Sequence, residues 1–93
     1  MIRSFADTET RRLFESGKSR RLPTDIIERA AMRLTQLHAA TFIDDLRLPA
    51  SNHLEALSGK RKGQWSIRIN RQWRLCFAFA DGDAYDVAIT AYH

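Results

Sequence analysis

Residues 64–90 read QWSIRINRQWRLCFAFADGDAYDVAIT. Trp65, Ile67 and Ile69 alternate with Ser66, Arg68 and Asn70. Trp73, Leu75, Phe77 and Phe79 alternate with Arg74, Cys76 and Ala78. Tyr85, Val87 and Ile89 alternate with Asp86, Ala88 and Thr90. A period of two, kept over three runs with short connections, predicts an antiparallel meander. Opposed residues of such a pair share a face, so apolar must meet apolar. The odd connection Asn70-Arg71-Gln72 places Trp65, Ile67 and Ile69 on the face of Trp73, Leu75, Phe77 and Phe79. A two-residue turn at Asp81-Gly82 would set Phe79 against Ala84 and turn Tyr85, Val87 and Ile89 outward. An odd loop with a bulge at Gly82 is therefore expected.

The same parity defines a second face. It carries Arg68 and Arg74 on neighbouring strands, Thr90, and Tyr92 near the chain end with His93 beside it. Guanidiniums offer phosphate a fork of donors, and a phenol or imidazole can move a proton. Residues 60–74, KRKGQWSIRINRQWR, hold six basic residues and no acid. Lys60, Arg61 and Lys62 sit between Gly59 and Gly63, on a turn expected to border that face. Lys18, Arg20 and Arg21 form a second basic group. The acids concentrate elsewhere, at Asp7, Glu9, Glu15, Asp25, Glu28, Asp44 and Asp45. Such segregation favours a polyanionic partner, and with Arg71 and the loop residue His53 these bases are candidate nucleic-acid contacts.

Toward the N-terminus, Ile2–Phe5 reads as a short strand. Asp7-Thr8-Glu9 starts a helix that should stop at Gly17. A second helix starts at Pro23-Thr24-Asp25, where Asp25 and Glu28 have capping-box spacing. Ile27, Ala30, Leu34 and Leu37 form its apolar stripe, which fades near Ala39-Ala40. The two helices are expected to form an antiparallel hairpin. Pro49, Ser51 and Asn52 mark residues 41–63 as loop, with Leu54 and Leu57 as anchors. The expected fold is α+β: an N-terminal strand, a two-helix hairpin, then an antiparallel meander packed on the helices.

The chain has 93 residues and a net charge of +4. That length suits one domain, residues 1–93, burying roughly 65% of its unfolded surface. The single cysteine, Cys76, has no disulfide partner within the chain and reads as a small buried thiol. Three histidines without ligand spacing argue against zinc, and no cofactor is expected. His38, at the end of the second helix, reads as a cation complementing the helix dipole. No signal sequence or membrane-length apolar run is visible, so a cytoplasmic protein without membrane contact is expected. Trp65 and Trp73, on the apolar parity, read as core.

The order of elements resembles the RelE/ParE toxin superfamily. The segment LEALSGKRKGQWSIRINRQWRLCFAF, residues 54–79, is similar to its HigB branch, as are the opening MIRSF and the terminal Tyr92-His93. The resemblance implies a toxin of a type II toxin–antitoxin system. Such a toxin is a ribosome-dependent endoribonuclease that cuts mRNA in the A site without a metal, by 2′-hydroxyl attack. It implies a helix-turn-helix antitoxin of the HigA kind, and operator DNA reached through that antitoxin. Arg74 matches the arginine that steadies the transition-state phosphate, and Tyr92 and His93 match the pair that assists proton transfer. Arg68 joins them by parity. Three positions depart from the family pattern: Ala91 replaces a frequent acid, and Glu55 and Ser58 stand where some members carry histidine and lysine. Two other functions stay open: a non-enzymatic gyrase inhibitor like the ParE branch, and a weakened toxin acting as co-repressor.

Overall fold

Asp7 Oδ1 accepts the Thr10 N–H at 2.7 Å and starts helix α1, Thr8–Ser16. Gly17, at φ 74, ends it by donating its N–H to the Leu13 carbonyl. This is the expected start and stop. Helix α2, Thr24–Ala39, begins after Pro23 with no side-chain cap, so the Asp25–Glu28 box does not form. Asp25 lies inside the first turn instead, where its charge still suits the dipole. Its buried stripe is Ile26, Ala30, Leu34 and Leu37, with Ile27 only partly buried. The stripe thus starts one residue earlier than expected, at a spacing of i, i+4, i+8 and i+11.

The computed structural model describes residues 1–92. Four antiparallel strands follow the helices: β1 (Glu55–Ala56), β2 (Gln64–Arg68), β3 (Trp73–Ala80) and β4 (Asp83–Ala91), in that spatial order. Trp65 opposes Phe77 and Ile67 opposes Leu75, so the three-residue connection sets the expected register. Asn70 Oδ1 fixes that connection by accepting the Gln72 and Trp73 N–H groups at 2.8 and 2.9 Å.

The second connection differs from expectation. Ala80 opposes Asp83 and Phe79 opposes Ala84, so Asp81-Gly82 is a two-residue turn with φ 52 and 82. Both positive angles match the favoured hairpin turn. Ala84 is therefore fully buried, and Tyr85 points outward, 37% exposed. Parity is restored at Asp86, φ 53, where β4 carries one extra residue against Cys76–Ala78. Val87 and Ile89 then return to the core. The bulge thus sits at Asp86, not Gly82.

Its cause is the N-terminal segment. Ile2 and Phe5 run parallel to β4 through isolated bridges to Ala84 and Val87, in place of a full strand. The Ser4 hydroxyl accepts the Asp86 N–H at 2.9 Å, and the Ser4 carbonyl accepts that of Val87 at 3.1 Å. The helices pack on the sheet through Leu13, Ile26, Leu34 and Leu37 against Ile67, Leu75, Phe77 and Val87. In the intervening loop the buried anchors are Leu46 and Asn52, whereas Leu54 and Leu57 are half-buried. Asn52 donates to Gln36 Oε1 at 3.0 Å and to the Leu46 carbonyl at 3.1 Å, fixing the loop to α2. His38 differs as well: Nδ1 accepts the Ile2 N–H at 3.1 Å, which requires its lone pair. The ring thus orients the N-terminus while packing on Phe14.

Glu9 ties the connection between the helices. It accepts from the Ser19 hydroxyl at 2.6 Å and the Arg20 N–H at 3.0 Å, bonds that hold its carboxyl below the usual range. A depressed carboxyl contributes stability above its unfolded pKa and loses it as pH falls through the folded value. Melting temperature should therefore drop from neutral pH to about pH 3, and Glu9→Gln should shallow that drop while lowering the neutral-pH value. Melts followed by circular dichroism check this; parallel pH curves for the two proteins would exclude the linkage at Glu9.

Candidate active site

The outer face of the sheet is built by alternation along β2, β3 and β4. Arg68 lies directly opposite Arg74, and Arg74 opposite Thr90. Two like charges in register repel. Their local partners differ. Arg68 Nε donates to the Asn70 carbonyl at 3.1 Å. Arg74 donates to Ser66 Oγ at 3.0 Å and to the His53 carbonyl at 3.3 Å, and it pairs with Glu55 Oε1 at 3.1 Å. Its guanidinium carbon lies 5.6 Å from the centre of the Tyr92 ring. Four groups thus fix one guanidinium, which leaves its side chain 15% exposed.

This face is not the uniformly solvated surface that alternation suggests. Ser66 and Cys76 are fully buried on it, beneath Arg74, the residue 50–56 loop and the chain end. Tyr92 donates its N–H to the Gln72 carbonyl, and its hydroxyl lies 3.8 Å from Cys76 Sγ. Burial pushes the phenol pKa up and the Cys76 contact adds to that, while Arg61 and Arg74 pull the other way. The net shift is upward, so Tyr92 is a protonated phenol and a hydrogen-bond donor at neutral pH.

Beside this cluster opens a cleft of about 1110 Å³ between α2, the 49–53 loop and the β2–β3 connection. Arg29, Arg33, Arg68, Arg71, His53 and Tyr92 line it, and among the described residues no acidic side chain does. Arg68, Arg71, His53 and Tyr92 were legible as candidates; Arg29 and Arg33 were not. Arg33 follows Ile26 by seven residues, which places it on the buried face of α2. A charged residue inside an apolar stripe is the signal that marks it.

The other basic candidates lie elsewhere. Lys60 and Arg61 are exposed on the 3-10 turn Gly59–Arg61, with Lys62 next to it, and none lines the cleft. Arg61 is still near enough to influence Tyr92. Lys18 and Arg20 line a separate hollow with Arg12 at the α1–α2 connection, and Arg21 is exposed in that connection. His93 lies outside the described residues. Among those described, no cluster of His, Cys, Asp and Glu has the arrangement of a metal site. Among the described residues, no helix is long and apolar enough to cross a membrane.

Residues 3–93 match the family model described as RelE-like toxin of type II toxin-antitoxin system HigB. The chain is 37% identical over 93 residues to Endoribonuclease HigB of Proteus vulgaris, covering all of both chains. It is 41% identical to Toxin HigB-1 of Vibrio cholerae, over 99% of this chain and 94% of that one. A Haemophilus influenzae protein described as uncharacterized is 32% identical over 85% of this chain and 79% of its own.

Proposed function

The chain belongs to the HigB family of RelE-like toxins of type II toxin–antitoxin systems, and from that premise we propose a ribosome-dependent endoribonuclease that cuts mRNA in the A site. The observation that carries this is the acid-free arginine cleft bordered by a protonated tyrosine. A polyanion is the ligand such a lining stabilises, and translating ribosomes place the protein in the cytoplasm.

In the proposed reaction the ribose 2′-oxygen forms a bond to the adjacent phosphorus, and the bond from phosphorus to the 5′-oxygen breaks. Arg68 and Arg74 face the charge that develops on the phosphoryl oxygens. Glu55, once the phosphate replaces it on Arg74, accepts the 2′-proton, which offsets the missing acid at Ala91. Tyr92 gives its proton to the leaving 5′-oxygen. The products are a 2′,3′-cyclic phosphate and a 5′-hydroxyl. Guanidiniums supply the positive charge, so the scheme needs no metal or cofactor.

A type II module implies an antitoxin partner. We take it to be a HigA-like helix-turn-helix protein that carries the toxin to operator DNA. The test is induced expression followed by mapping of mRNA ends. Cuts within translated codons support the proposal. Intact messages with DNA damage would point to gyrase inhibition, and the absence of any growth effect to a co-repressor.

Ribosome docking should also depend on the exposed Lys60–Lys62 turn. Replacing Lys60, Arg61 and Lys62 by Gln together should reduce the slope of log affinity against log salt by about 2–3 units, since each lost phosphate contact retains its counterion. Ribosome pelleting across a salt series reads the slope; an unchanged value would remove the triplet from the interface.

A further inference from the structure

Arg33 has a partner for one nitrogen only among the described contacts. Its Nε donates to the Arg68 carbonyl at 2.9 Å, and the residue is 8% exposed. Arg29 NH1 donates to the Ile69 carbonyl at 3.4 Å, one residue along the same strand end. Among the described residues, neither guanidinium has a carboxylate within ion-pair distance. Arginine keeps its proton in proteins, so two positive charges stand together at the cleft wall. A buried charge without a counter-charge is costly, and two neighbouring like charges raise that cost. An anion seated between them removes both penalties.

The position fits a substrate group. Both residues line the cleft with Arg68, which faces Arg74 across the β2–β3 ladder. The backbone carbonyls of Arg68 and Ile69 hold the two guanidiniums in place, so little ordering remains to be done on binding. We propose that Arg29 and Arg33 form a second phosphate subsite, which holds a non-scissile phosphate of the RNA next to the one attacked. This rests on the endoribonuclease reading. The pair binds; it does not take part in bond making.

A binding role predicts a specific split. Arg29→Gln and Arg33→Gln should each raise the toxin concentration that half-saturates cleavage of ribosome-bound mRNA by about 10-fold or more, the loss expected for a charged hydrogen bond. The saturated cleavage rate should stay within about threefold. Arg33→Gln also loosens α2 from β2, so the measurement that decides is ligand-specific. Inorganic phosphate, compared with chloride at equal ionic strength, should raise the melting temperature of the parent protein by several degrees. Both variants should lose most of that rise, and Arg29→Gln, exposed and outside the core, should do so with an unchanged melting temperature in chloride. Equal phosphate stabilisation in parent and variants, or a loss confined to the saturated rate, would overturn the subsite. A parent protein that cuts no message would overturn the endoribonuclease reading instead, while the phosphate arm still decides whether the anion site exists.

Discussion

For the proposed endoribonuclease, Arg74→Ala should slow cleavage of ribosome-bound mRNA by about 10²–10³-fold, the loss expected when one preorganised donor to a developing anion is removed. The guanidinium is held by Ser66 and the His53 carbonyl before substrate arrives, so on binding it only has to exchange Glu55 for the phosphate. Arg74→Lys should recover little, because an ammonium cannot reproduce the fork toward Ser66 and Glu55. The alanine variant leaves the buried Ser66 hydroxyl without its donor, which costs about 1–3 kcal/mol of stability. A domain of this size has about 5–15 kcal/mol to lose, so it stays folded. Single-turnover cleavage on purified ribosomes, beside a thermal melt, separates the two effects. A folded Arg74→Ala protein that cuts at the parent rate would remove Arg74 from the site. Glu55→Gln is the companion variant: it frees the arginine but removes the proton acceptor, so it should also be slow.

The local rules carried the fold most of the way. Helix α1 was readable because Asp7 and Gly17 act within one turn of their own position. The β2–β3 register was readable because alternation and a three-residue connection leave one parity that buries both apolar rows. Failures arose where a distant residue decides. The bulge at Asp86 depends on a hydroxyl 82 positions away, at Ser4. No pattern within residues 83–91 announces it, and the tight turn at Asp81-Gly82 was set aside because the bulge that makes it compatible with burial was invisible. Strand β1 has two residues and therefore no period; Ser66 and Trp65 of β2 define it.

The site divides in the same way. Parity put Arg68, Arg74 and Tyr92 on one face, the resemblance implied roles for Arg74 and Tyr92, and the structure brings the three side by side. The contact between Glu55 and Arg74 spans 19 positions, and in the sequence Glu55 stands out only as a departure from the family pattern. Arg33 was hidden for a different reason. Helical arginines are normally solvated, and this one is inward because the Arg68 carbonyl, 35 positions on, meets it at the sheet end. Cleft-lining residues contributed by a helix that the apolar pattern assigns to the core are thus the part of such a cleft that is hardest to read from alternation and charge runs.

Tyr92→Phe keeps the ring beside Arg74 and the backbone bond to Gln72 and deletes only the hydroxyl. Loss of a positioned general acid costs about 10²–10⁴ in rate, so cleavage should fall by that factor while mRNA binding holds. The direction of its pKa supports the proposed role. Burial first, then the Cys76 thiol, push the phenol above its ordinary value of 10.0 despite the opposing guanidiniums. At pH 7 less than about one molecule in a thousand is then phenolate, so Tyr92 can give a proton but is a poor base. The parent rate should accordingly show no decline attributable to Tyr92 between about pH 7 and pH 9, because ionisation of a raised phenol lies beyond that window. Cys76→Ala removes one of the two raising influences and should leave the neutral-pH rate near the parent value, since burial remains. Deleting Tyr92 and His93 together should cost at least as much as Tyr92→Phe, because the ring beside Arg74 goes too. Codon-level cleavage by the parent, the phenylalanine variant and the truncated form, each at several pH values, provides the comparison. If Tyr92→Phe cuts at the parent rate, the proton for the 5′-oxygen comes from another donor, and the phenol serves only to pack the arginine.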